Sequence, residues 1–163
     1  FKLEYRCKTV ELRHNAPLTP PLKKEKGERM GPRPDISVLL GDKILAIFEV
    51  KVYLPSPEDV DRLIESISKI FNKMQERGQS PDELQIYIVL FQKDIAKRES
   101  KKNQSDKESI ADKLKKLKEI KNVKFILPSN FKSKVIKEHD TITLREAMEN
   151  ILKCIYEETE VCA

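Results

Sequence analysis

Apolar and polar residues alternate strictly over the first eight positions, with Phe1, Leu3, Tyr5 and Cys7 set against Lys2, Glu4, Arg6 and Lys8. A period of two sends successive side chains to opposite faces, so residues 1–8 are predicted to form a half-buried strand. The alternation then stops. Between His14 and Pro34 lie five prolines and two of the chain's four glycines, a composition that predicts a loop. Asp35 to Leu40 predicts a second strand, Gly41-Asp42 a turn, and Ile44 to Leu54 a third strand.

Ser56-Pro57-Glu58-Asp59 combines a capping serine, a proline at the first helical position and acids in the first turn. It predicts a helix over 57–77 whose apolar stripe is Val60, Leu63, Ile64, Ile67, Ile70, Phe71 and Met74, closed by Gly78. Leu84 to Phe91 predicts a buried strand, and Gln92–Lys107, polar except for Ile95 and Ala96, a loop or frayed helix. The capping box Ser105-Asp106-Lys107-Glu108 opens a helix with Ile110, Leu114 and Leu117 inward, and Val123 to Leu127 is a short strand. A second capping box, Thr143 to Glu146, starts a helix expected to bury Leu144, Ala147, Met148, Ile151, Leu152, Ile155 and Tyr156 on one face. The order β-β-β-α-β-α-β-α predicts an α/β fold, a mixed central sheet flanked by helices.

Length adds that residues 1–163 make one domain with a sizeable core, and the start at Phe1 points to a missing upstream segment. No apolar run approaches the ~20 residues of a membrane span. Three cysteines without CxxC spacing argue against a disulfide framework or zinc finger, and point to an intracellular compartment, cytoplasmic or nucleoid-associated. The net charge of +5 is compatible with nucleic acid without requiring it. No glycine-rich phosphate loop is present, which argues against an NTPase. His14 and His139 stand in polar surroundings and read as surface histidines.

The chemistry concentrates in the third strand. Nine of the eleven residues from Ile44 to Leu54 are apolar, as in a strand covered on both faces, and Glu49 and Lys51 interrupt them. Two residues apart, they share one face, opposite Ile44, Ala46, Phe48, Val50 and Val52. Ionised groups in such a strand cost several kcal/mol unless compensated, and a divalent cation beside a phosphate would compensate them. The letters E-x-K alone carry nothing, since they recur at Glu99 and Glu119. Position does. Asp35 opens the preceding strand, with thirteen residues between it and Glu49, so a hairpin brings two carboxylates and an ammonium together. Two acids on neighbouring strands suit Mg²⁺, with Mn²⁺ able to substitute. A second match, Pro81-Asp82 with Glu99-Ser100-Lys101, fails because residues 92–107 lack strand periodicity.

Pro34-Asp35, thirteen residues, then Glu49-Val50-Lys51 resembles the PD-(D/E)xK nuclease superfamily, with its restriction-endonuclease-like core, over roughly the first 90 residues. The resemblance implies a Mg²⁺-dependent nuclease, foremost a DNA endonuclease, in which Asp35, Glu49 and the Val50 carbonyl hold the metal and Lys51 is the catalytic lysine. The family's opening helix is missing before Phe1, as is the Gln-x₃-Tyr signature of its RecB-like branch. The alternative is a catalytically idle nucleic-acid-binding or assembly module on the same fold. Lys23, Lys24, Lys26, Arg29 and Arg33 precede Asp35 directly and are expected to track the phosphate backbone; a homodimer is among the candidate assemblies.

Register supplies a sharp test. A plain two-residue loop at Gly41-Asp42 would put Asp35 opposite Phe48, on the wrong face. A three-residue loop closing Leu40 onto Ile44, or a β-bulge of the same parity, puts Asp35 opposite Glu49.

Overall fold

The computed structural model describes residues 1–18, 32–52, 57–91, 104–129 and 136–161. Its centre is a six-stranded sheet in sequential order, β1 (Lys2–Tyr5), β2 (Lys8–His14), β3 (Ile36–Leu40), β4 (Lys43–Lys51), β5 (Gln85–Leu90) and β6 (Val123–Ile126). Strands β1 to β4 form an antiparallel meander, while β4–β5 and β5–β6 pair in parallel. The parallel pairs need crossovers, supplied by α1 (Pro57–Glu76) and α2 (Gln104–Glu119); α3 (Leu144–Glu160) ends the described fold. The protein is therefore α/β with a mixed sheet.

Two cores sit on opposite faces of the sheet. On one, Val60, Leu63, Ile67, Ile70 and Met74 of α1 and Leu114 and Leu117 of α2 pack on Leu39, Ile44, Ile47, Ile86 and Ile88. The stripe expected of α1 is thus its buried face. On the other, Ala147, Ile151 and Ile155 of α3 pack on Val38, Leu40, Leu45, Ala46, Phe48 and Tyr87. Burial on both sides explains why β4 reads as a nearly continuous apolar run.

Four expectations are revised. The alternating stretch 1–8 is not one strand: Arg6, at φ 53°, turns the chain, and residues 8–14 return as β2. That adds a strand to the predicted order. The final helix buries only part of its stripe, leaving Leu144, Met148, Leu152 and Tyr156 exposed. Gln104 already begins α2, so the last four residues of the expected loop, 104–107, are helical; residues 92–103, with Glu99 and Lys101, lie outside the described residues. Cys7 is disulfide-bonded, so the thiol argument for a reducing compartment loses its support. The Arg6–Cys7 turn lies at the end of α3, where the Arg6 guanidinium donates to the Thr159 carbonyl at 3.1 Å. Cys154 is a free thiol, and Cys162 lies outside the described residues. Among the described residues no helix is long and apolar enough to cross a membrane.

Candidate metal centre

The β3–β4 hairpin decides where the carboxylates go. Its loop is the plain two-residue one, with Leu40 paired to Lys43 and Leu39 to Ile44, and Gly41 at φ +58°. A bulge then intervenes: Val38 pairs with Ala46, leaving Leu45 as the extra residue. Beyond it Ser37 pairs with Ile47 and Ile36 with Phe48, so continuing the register sets Asp35 opposite Glu49. The expected parity holds, by the bulge and not by a longer loop. The bulge also corrects the face assignments. Ile44 joins Ile47, Glu49 and Lys51 on the α1 side, whereas Leu40 belongs to the α3 side.

A side chain from outside the hairpin braces the residue beside the bulge. Two residues past the end of α1, Gly78 has a φ of +72°, the left-handed conformation glycine adopts without strain, and the chain folds back toward the sheet. The Gln79 amide then brackets Ile44, accepting from its N–H at 3.0 Å and donating to its carbonyl at 2.6 Å. Ile44 precedes the residues of β4 that pair with β5, so this side chain acts as a short substitute strand.

At the other end of the hairpin, the Asp35 carboxylate accepts from the Val50 backbone N–H at 2.7 Å. The Asp35 side chain thereby supplies the acceptor for this N–H at the end of the β3–β4 ladder. Glu49 is only 5% exposed. One of its oxygens, Oε2, accepts from Lys51 Nζ at 3.2 Å; the other, Oε1, is buried without a hydrogen-bond partner. Burial pushes the Glu49 carboxyl above the usual carboxylate range; the Lys51 ammonium opposes the shift and the Asp35 charge adds to it.

These groups line a cleft of about 530 Å³ at the carboxyl end of β4, walled by the first turns of α1. Arg33 lies on the same cleft, as do Asp59, Arg62 and Ser66, which sequence reasoning missed. Their signal was legible in principle: the three polar residues fall at helical spacing on the flank of α1 beside Leu63. Arg62 pairs with Asp59 at 3.6 Å.

Of the residues singled out in sequence, Asp35, Glu49, Val50, Lys51 and Arg33 come together. Lys23, Lys24, Lys26 and Arg29 lie outside the described residues. Leu18 donates its N–H to the Pro32 carbonyl at 3.3 Å, so the two ends of that basic segment meet just before the cleft. His14 and His139 are both exposed.

The donor set suits a hard cation: the Asp35 and Glu49 carboxylates line one cleft, and one Glu49 oxygen is buried and lacks a partner. Among the described residues, no group of three or more His, Cys, Asp or Glu side chains is placed to hold a metal. Comparison with known proteins finds no matching family model, no matching curated protein and no matching solved structure.

Proposed function

We propose that the chain is a metal-dependent nuclease of the restriction-endonuclease-like type, hydrolysing phosphodiester bonds in DNA endonucleolytically. The observation that carries this reading is Glu49, a buried strand carboxylate with an orphaned oxygen, across the hairpin from Asp35 and beside Lys51. A buried polar atom without a partner costs about 1–3 kcal/mol, which a bound cation would relieve. Asp35 and Glu49 would hold Mg²⁺, with the Val50 carbonyl as a further donor. Bound there, the ion supplies positive charge to a phosphoryl oxygen and acidifies water.

The remaining steps belong to the chain. Lys51 Nζ orients the attacking water and offsets charge developing on the phosphate. Burial of Glu49 excludes competing solvent from one side of the site. Arg33 and Arg62, both on the cleft, hold the flanking phosphates.

The cleanest test is incubation with supercoiled, linear, single-stranded and branched DNA, with and without Mg²⁺ or Mn²⁺. Nicked or linearised plasmid, absent with Lys51→Ala, is the expected result. The idle binding module is favoured by one observation, that among the described residues no three His, Cys, Asp or Glu side chains are grouped to hold a metal, although Asp59 also lines the cleft. DNA binding without cleavage, and no thermal shift with Mn²⁺, would select it.

A further inference from the structure

Among the described residues, three α-helices cover this sheet unevenly. Two of them pack on one face and α3 on the other. Beside it, the β1–β2 hairpin and the flank of α3 frame an apolar groove of about 510 Å³ lined by Leu3, Tyr5, Val10, Leu152, Ile155 and Tyr156. Along the helix, Leu144, Met148, Leu152 and Tyr156 recur every fourth residue and are 44–59% exposed. Four large apolar side chains in a row on one helix are more than the scattered exposure expected of a surface.

The charges next to this row say what covers it. One residue beyond each apolar position stand Arg145, Glu149, Lys153 and Glu157, all exposed. Laid antiparallel against an identical helix about a two-fold axis, the apolar row meets itself: Leu144 faces the partner's Tyr156, and Met148 the partner's Leu152. About nearly the same centre, Arg145 then faces the partner's Glu157, and Glu149 the partner's Lys153. Each of these pairs occurs twice. A two-fold interface requires such a self-complementary surface, in which the first residue meets the second and the second meets the first. A parallel arrangement would set each charge against its own kind. A single helix pair falls short of the roughly 800 Å² per partner of a standard interface, and the hairpin floor at Leu3 and Tyr5 supplies adjoining apolar area.

We propose that α3 is a homodimerisation surface, packing antiparallel on α3 of a second copy across this apolar row. The inference is independent of the nuclease reading, since it uses no residue of the metal cleft.

Sedimentation equilibrium of the whole chain over a range of concentrations tests it. Twice the 19.0 kDa chain mass is expected at the upper end of the range. Met148→Lys with Leu152→Lys should give monomer with an unchanged circular-dichroism spectrum, because both side chains are exposed. Lys153→Glu alone should weaken association roughly tenfold, through two attractive pairs turned repulsive. Adding Glu149→Lys to Lys153→Glu restores opposite charges across the dyad and should recover the dimer. A heterologous partner would not follow that recovery. A chain that stays monomeric throughout, or a dimer indifferent to these substitutions, overturns the proposal.

Discussion

Glu49→Gln isolates the electrostatic feature on which the site rests. In the protein without a cation, Glu49 is a buried carboxylate with one oxygen partnered by Lys51 and one by nothing. Its carboxyl is held above the usual range chiefly by burial, so at neutral pH the charged form destabilises the fold. The sign follows from linkage. A raised folded-state value means that the group's contribution to stability is fully present below its unfolded value of about 4.3, and is lost as pH rises through the folded value. The amide cannot ionise and escapes this loss. An unsatisfied buried polar atom costs about 1–3 kcal/mol and the neutral amide keeps part of that cost, leaving a gain of about 1 kcal/mol for the variant. For a chain of this length that is about 2–4 °C in melting temperature.

Thermal melts with a chelator at pH 7 should therefore show Glu49→Gln above the parent, with the difference vanishing below about pH 4. Added Mg²⁺ or Mn²⁺ should raise the parent and leave the variant where it was. A variant less stable than the parent at pH 7 without metal would mean that Glu49 is already compensated. The physical argument for a metal centre would then fail.

Lys51→Ala should reduce cleavage by a factor of about 100 or more while keeping the metal-induced thermal shift, and should lower the metal-free melting temperature because Glu49 is left without its counter-ion; near-parental turnover would remove Lys51 from the chemistry. Removing carboxylate repulsion by Asp35→Ala would by itself stabilise the metal-free protein, but Asp35 also accepts the Val50 N–H. The expected net result is a drop of about 1–2 kcal/mol together with the disappearance of the metal response, checked by denaturant titration against Asp35→Asn, which retains an acceptor oxygen and should forfeit only the metal response. Replacing Lys23, Lys24 and Lys26 with Ala should flatten the dependence of log binding constant on log salt by about 0.9 for each phosphate no longer neutralised. An unchanged slope assigns these lysines to solvent.

Local pattern was enough to place most of the elements. The stripe of α1 from Val60 to Met74 is buried as its spacing requires, because a helix packed on a sheet must hide one continuous face. The carboxylates and lysine of the cleft were also legible, because ionised side chains in an otherwise apolar strand stand out against their neighbours. What the pattern could not carry was anything decided between elements. The turn at Arg6 left no trace in residues 1–8, whose letters alternate straight through it although the faces invert there, Leu3 pairing with Val10 and Tyr5 with Lys8. Strand β4 is apolar on both faces, so its sequence holds no alternation from which the bulge at Leu45 could be read; Ile44 beside it is bracketed by Gln79, thirty-five residues away. On α3, amphipathicity revealed which residues are apolar but not how much of the sheet one helix would cover. Ile151 is buried because it packs on the sheet, and Leu152 is exposed because no other described helix packs on that face, a fact of packing that no local periodicity contains.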